Sequence, residues 1–218
     1  MFIFDCNGVL VDSEAIVAQV AASELTRVGF AVSPDIISRF FAGRRPIDML
    51  VDIEAATQRT LPVDFAKTLA NATLKRIKAE LRATAHVEHA LTWLRGPKCV
   101  ASSSPLDRVR ISLESTGLIR FFEPHLFSAN EVPKGKPAPD LFLHVAAKMR
   151  TNPEDCIVVE DSPAGVAAAH AAGMVPIGFI GGSHTNPNQG AQLTRAGARA
   201  VIADMRALKS TVVALRGF

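Results

Sequence analysis

The sequence predicts an α/β protein in which a doubly wound parallel sheet carries an inserted α-helical bundle as a cap. Short apolar runs recur along the chain, and most of them are separated by segments with helical spacing, which is typical of a parallel sheet covered by helices on both faces. One long stretch without such a run, at 14–82, breaks this alternation. The predicted strands are 2–4, 98–101, 126–128, 157–159, 175–179 and 200–202.

The stretch that breaks the alternation contains four helical patterns. The first pattern ends near Gly29, Ser33 suits the N-cap of a second helix, and prolines precede the remaining two. We therefore expect a helical cap domain at 14–83 that is inserted, through two short linkers, into a core domain formed by 1–13 and 84–218.

Composition and charge limit the classes of partner. The chain has 218 residues, of which 48% are hydrophobic and 21% are charged, as in an ordinary globular protein. Lysine and arginine exceed aspartate and glutamate only by 24 to 21, so we expect no nucleic-acid partner. The apolar runs are too short to span a membrane, and the first residues leave no room for a secretory leader. The three cysteines do not have the spacing of metal ligands. We expect a cytoplasmic monomer or weak homo-oligomer without a membrane partner.

Polar residues stand at the ends of three predicted strands: Asp5, Ser102 and the pair Glu160-Asp161. Ligands of doubly wound sheets bind beyond the carboxyl ends of the strands, so these side chains are predicted to converge. A rigid, partly desolvated Asp5 could attack phosphorus, although an aspartate there could also merely cap a turn.

Three further segments bear on this choice. Ser102 and Ser103 precede a helix N-terminus, where hydroxyl and backbone N–H groups can bind phosphate or simply cap the helix. Lys136 lies in a loop with two prolines and could neutralise phosphoryl oxygens, or be solvated. Glu160 and Asp161 could join Asp5 as oxygen ligands of Mg²⁺, or compensate a helix dipole. The four segments together favour phosphate chemistry.

The order of these motifs resembles the haloacid dehalogenase superfamily, in its phosphatase and phosphomutase branch with a helical cap after the first motif. Segments 2–14, 135–140 and 160–165 carry the resemblance, which covers essentially the whole chain. It implies that Asp5 forms an aspartyl-phosphate and that Ser102 and Lys136 hold the phosphoryl oxygens. It further implies that Mg²⁺ is bound by Asp5, by the backbone carbonyl of Asn7, and by Glu160 and Asp161.

One residue departs from the family pattern. Family phosphatases carry an aspartate two positions after the nucleophile as general acid and base, and here that position is Asn7. An amide can neither give nor accept this proton at neutral pH. Three interpretations stay open: a substitution introduced to trap a complex, which the intact surroundings favour, a natural relative with weak or no hydrolysis, or different chemistry.

The expected function is therefore a magnesium-dependent phosphatase of a small phosphorylated metabolite, a sugar phosphate or a phosphorylated sugar acid, impaired by Asn7. A phosphomutase would be expected to carry a histidine and an arginine at the positions of Val17 and Pro46. A dehalogenase would leave the acidic pair at 160–161 without a role, and a silent sensor would bind without turnover. In the predicted cap turn at 41–46, Arg44 and Arg45 could pair with a substrate carboxylate or phosphate, or be solvated.

Overall fold

The computed structural model describes residues 1–41 and 43–217, which contain six β-strands and ten α-helices. The strands are β1 (Phe2–Phe4), β2 (Lys98–Ser102), β3 (Leu126–Ser128), β4 (Ile157–Glu160), β5 (Val175–Phe179) and β6 (Ala200–Ile202). The helices are α1 (Glu14–Arg27), α2 (Pro34–Phe41), α3 (Pro46–Thr57), α4 (Phe65–Glu80), α5 (Val87–Trp93), α6 (Leu106–Ser115), α7 (Asp140–Lys148), α8 (Pro163–Ala171), α9 (Gln189–Arg195) and α10 (Leu208–Arg216). The predicted α/β fold class is confirmed, and β2 and β4 each extend one residue beyond the predicted run.

All strand pairs are parallel, and the sheet has the order β3-β2-β1-β4-β5-β6. Side chains alternate across it: Phe2 and Phe4 join the apolar core on one face, whereas Ile3 joins the core on the other. This order is that of a Rossmann-like doubly wound sheet, and the direction of winding reverses between β1 and β4. A crevice is therefore expected beyond the carboxyl ends of these two strands.

Helices α1 to α4 form a separate apolar cluster around buried residues such as Leu25, Ile37 and Leu69. The chain enters and leaves this bundle side by side. The backbone N–H of Asp12 donates to the carbonyl of Arg82 over 3.0 Å, and that of Thr84 donates to the carbonyl of Leu10 over 2.9 Å. The bundle follows the first strand, as expected for a cap, and its division from the core at residues 13 and 84 stays a prediction.

None of the helices in the described ranges combines the length and the apolar character needed to cross a bilayer. Cys6, Cys99 and Cys156 are buried free thiols.

Candidate active site

The predicted polar residues meet at the crevice where the winding reverses. Asp5 follows β1 directly, Asp161 follows β4, and Ser102 is the last residue of β2. Each of the three is at most 5% exposed. Short buried strands place these side chains with little freedom, because the strands are fixed on both sides by parallel neighbours.

Lys136 is the centre of a buried hydrogen-bonded cluster. Its ammonium donates to Asp5 Oδ1 over 2.6 Å, to Glu160 Oε1 over 2.5 Å and to the carbonyl of Ala101 over 3.2 Å. An ammonium has three protons, so its donors are fully used. The other oxygen of Glu160 accepts from the backbone N–H and the hydroxyl of Ser162, over 3.1 and 2.9 Å. The cluster is thus complete without any ligand.

The charges of this cluster depend on one another. Burial acts to lower the pKa of Lys136, but the carboxylates of Asp5 and Glu160 raise it above its ordinary value. Burial raises the pKa of the Asp5 carboxyl, and the neighbouring ammonium opposes that rise. A fixed positive charge therefore lies against Asp5, on the Oδ1 side, and Oδ2 is the oxygen that can face an incoming group.

Both carboxylate oxygens of Glu160 have hydrogen-bond partners within the protein, and Glu160 is the second carboxylate that holds Lys136. Across residues 1–41 and 43–217, no set of three His, Cys, Asp or Glu side chains is arranged to hold a metal ion. Direct metal binding by Glu160 stays a prediction.

Asp161 is better placed for a metal. Gly8 has a φ of +75°, and a Cβ on it would lie 2.1 Å from Asp161 Oδ2, so this carboxylate packs against the turn that follows Asp5. Mg²⁺ prefers oxygen ligands and keeps several of its waters, so two carboxylates and one carbonyl suit it. Asp5, Asp161 and the backbone of Asn7 thus fit Mg²⁺.

His184 also contacts the predicted metal ligand. Its Nε2 lies 2.8 Å from Asp161 Oδ2, and both side chains are nearly buried. Burial would lower the pKa of His184, but the Asp161 carboxylate raises it to about 9.

A cavity of about 310 Å³ opens beside Asp5, between the core and the helical bundle. Asn7 lies on its wall and donates from Nδ2 to the hydroxyl of Ser104 over 2.9 Å. Its Oδ1 is buried and has no hydrogen-bond partner among residues 1–41 and 43–217. The side chain is thus anchored at one end, with its other end available to a ligand.

The predicted phosphate-binding serines take two different positions. Ser102 is fully buried, and its hydroxyl accepts from the backbone N–H of Ser104 over 3.1 Å. Ser103 lines the cavity and donates to the carbonyl of Gly43 over 2.7 Å, which ties the cap turn to the core. Within the predicted turn at 41–46, Ala42 lies outside the described residues.

Neither cap arginine has an uncompensated charge. Arg44 lines the cavity, but its Nη1 donates to Asp52 Oδ2 over 2.5 Å. Arg45 makes a two-pronged ion pair with Asp48, over 2.8 and 2.9 Å, and packs against Gly135. Substrate binding by these arginines stays a prediction, but Arg45 does not line the cavity, so the structure favours Arg44 over Arg45 for that role.

Two charged residues at the site escaped the sequence analysis. Arg108, on the first turn of α6, is 8% exposed and lines the cavity, and His184 lies in the segment after β5. Helical spacing assigns Arg108 to the polar side of its helix, and His184 belongs to no motif. The burial of Arg108 is a result of tertiary packing, which brings the cap helix α4 against α6.

A buried aspartate held by a lysine at the switch point of a doubly wound sheet, beside a cavity under a helical bundle, is the arrangement of an α/β enzyme that acts on a small ligand. Comparison with known proteins agrees. The family model described as haloacid dehalogenase-like hydrolase matches residues 1–173, and the chain belongs to this family. Because its relatives include named phosphatases of the family, it is a phosphoric monoester hydrolase by class.

The relatives include proteins of known and of unknown activity. 6-Phosphogluconate phosphatase of Escherichia coli is 30% identical over 84% of this chain and 84% of its own length. A haloacid dehalogenase-like protein of unknown function from Agrobacterium tumefaciens is 38% identical, covers 99% and 98% of the two chains, and superposes with a TM-score of 0.84. A family hydrolase from Deinococcus radiodurans, solved with bound phosphate and sodium, is 31% identical, with a TM-score of 0.75 and coverage of 97% and 94%.

Proposed function

We propose that this hydrolase is a magnesium-dependent phosphatase of a small phosphorylated sugar or sugar acid, with Asp5 as covalent nucleophile and with turnover limited by Asn7. The observation that carries the proposal is the contact of Lys136 with Asp5 Oδ1, at a buried strand end that faces the cavity. A carboxylate held in this way is oriented and kept beside a cation, as attack on an anionic phosphate requires.

In the first step Asp5 Oδ2 attacks phosphorus, the bond from phosphorus to the ester oxygen breaks, and an aspartyl-phosphate forms. The charge of Lys136 neutralises the phosphoryl group. The Ser102 hydroxyl, which accepts from Ser104, can donate to a phosphoryl oxygen, and Ser103 can do so once it releases the carbonyl of Gly43. Mg²⁺, held by Asp5, Asp161 and the carbonyl of Asn7, would supply further charge neutralisation.

Asn7 stands where both proton transfers would occur. The leaving oxygen needs a proton in the first step, and the water that hydrolyses the aspartyl-phosphate must lose one in the second. The amide Nδ2 is a donor that does not release its proton, and Oδ1 does not accept one at neutral pH. Turnover by the Asn7 protein is therefore expected to be slow in both steps.

Cavity size and relatives support a small phosphorylated substrate. A volume of about 310 Å³ is at the low end for ligand pockets and suits a metabolite rather than a macromolecule. The relative from Escherichia coli is named for 6-phosphogluconate, a phosphorylated sugar acid.

A second candidate is a binding protein that holds such a metabolite without turnover, since Asn7 leaves the rest of the site intact. A phosphomutase is less favoured, because Val17 and Pro46 line the cavity where the family resemblance would place a histidine and an arginine. A cytoplasmic location and a monomeric or weakly oligomeric state stay predictions.

The proposal is tested by a screen of phosphate monoesters with the Asn7→Asp protein and Mg²⁺. The double variant Asp5→Asn/Asn7→Asp, which keeps the shape of the site, is the matched control. Release of phosphate that disappears in the double variant supports the proposal. Absence of turnover by Asn7→Asp on every ester, together with tight binding of some of them, supports the binding protein instead.

A further inference from the structure

Arg108 carries a charge that the protein leaves without a hydrogen-bonding partner. Its side chain lines the cavity, the residue is 8% exposed, and both Nε and Nη2 are buried with no acceptor among the described residues. Arg44 and Arg45 differ from it, because each is paired with an aspartate of α3. Arg108 is therefore the arginine at this cleft that can receive an anion without first losing a partner.

The surroundings of Arg108 do not compensate for its burial. Burial lowers its pKa, and the carboxylates of Glu14, Asp5 and Asp107, with the thiol of Cys6, act against that. Glu14 and Asp107 line the same cavity, yet neither engages the free nitrogens. A buried guanidinium with unused donors is unfavourable in the free protein, and a bound anion would relieve that cost.

The charge of the free group, more than its shape, indicates which anion fits. A guanidinium is a planar fork that binds either a carboxylate or a phosphate through two parallel hydrogen bonds. A second phosphate would bring more negative charge than one arginine neutralises, and the other arginines of the cleft are already paired. The reacting phosphate has its own cation in Lys136, on the Asp5 side of the site.

We propose that Arg108 binds a carboxylate at the end of the substrate remote from the phosphate, so that the preferred substrates are phosphorylated sugar acids rather than neutral sugar phosphates. This proposal rests on the proposed function of the site and names the substrate class within it. Arg108 is thus a specificity-determining residue, placed on α6 of the core rather than on the cap.

The test is calorimetric binding of two probes to the Asn7 protein in Mg²⁺: 6-phosphogluconate and glucitol 6-phosphate, which differ only in a carboxylate or a hydroxymethyl group at C1. We expect the acid to bind at least about tenfold more tightly, as for a charged hydrogen-bonded contact. Arg108→Gln should remove this preference and leave the affinity for glucitol 6-phosphate nearly unchanged. Arg110→Gln, an exposed change two residues further along α6, should keep the preference.

The outcomes separate this proposal from the proposed function. Equal affinity of the two probes overturns the role of Arg108 while the phosphatase proposal stands. If Arg108→Gln weakens the binding of both probes equally, the arginine binds the phosphate itself, and this result also overturns the proposed role of Arg108. Binding of neither probe by the Asn7 protein contradicts the substrate class and the proposed function together. In the absence of ligand, Arg108→Met should not lower the melting temperature, and a clear decrease would show a structural role instead.

Discussion

The charged residues of the site differ in how far the protein itself supplies their partners. Lys136, Asp5 and Glu160 form a closed set in which all three ammonium protons have acceptors. At Arg108, by contrast, Nε and Nη2 are buried without an acceptor among the residues that the structure describes. The Lys136 set is complete before a ligand arrives, whereas Arg108 would be completed by one.

This difference separates chemistry from selection. Groups that stabilise a reaction act best when they are fixed beforehand, because no reorganisation is then needed during the reaction. Groups that select a substrate can be left unsatisfied, because a ligand that lacks the matching group leaves them unpaired and is rejected. Substitution within the Lys136 cluster should therefore destabilise the protein, whereas substitution of Arg108 should be well tolerated.

The largest expected effect follows from removing the centre of the closed set. Lys136→Met leaves two carboxylates buried without their cation, and we expect the free energy of unfolding to fall by about 3–5 kcal/mol. Urea denaturation measures this directly. Lys134→Met, in the same loop but exposed, is the matched control and should change stability by at most about 0.5 kcal/mol. A similar small change for both variants would show that the cluster is not needed for folding.

A smaller effect is expected at the metal ligand. Asp161→Ala should weaken Mg²⁺ binding in calorimetry by at least roughly 10- to 100-fold, a loss that even outer-shell partners of metals can cause. Asp12→Asn serves as the control, because this carboxylate accepts from Ser183 and lies outside the proposed ligand set. Unchanged affinity in Asp161→Ala would mean that the metal site is misassigned.

Most of the fold could be predicted from sequence because short, continuous apolar runs mark buried parallel strands. The runs at 2–4, 126–128, 175–179 and 200–202 coincide with β1, β3, β5 and β6. The two strands that extend further end in polar residues, Ser102 and Glu160, which a search for apolar runs excludes. These two residues are buried by their contacts within the site and not because of a local hydrophobic pattern.

Site residues that lie in a sequence motif were predicted. Site residues that reach the cavity only through tertiary packing were missed. Arg108 lies between Asp107 and Val109 and is predicted to be exposed, but it is buried in the fold, in the helix α6 that packs against α4. Arg45 illustrates the converse, because its spacing of three residues from Asp48 is that of a helical ion pair. That spacing is visible in the sequence and predicts the Asp48 partner, while substrate binding by Arg45 stays a prediction.

The smallest expected effect concerns this cap arginine. Arg45→Ala removes a partly exposed ion pair, so we expect a loss of about 0.2–1 kcal/mol in stability. Because Arg45 does not line the cavity, KM should be unchanged across a set of esters hydrolysed by the Asn7→Asp protein. An increase in KM without a change in kcat would restore Arg45 to the substrate site.

The central claim is that Asn7 occupies the position of the general acid and base, and it is tested most directly by the turnover of Asn7→Asp beside the Asn7 protein. General acid–base catalysis by one positioned group contributes roughly 10² to 10⁴-fold, so kcat should rise by that factor while substrate affinity changes little. Asn7-Gly8 is prone to deamidation, so intact mass must verify the amide in fresh protein. If verified Asn7 protein hydrolyses its best ester as fast as Asn7→Asp does, the assignment of acid and base chemistry to this position is wrong.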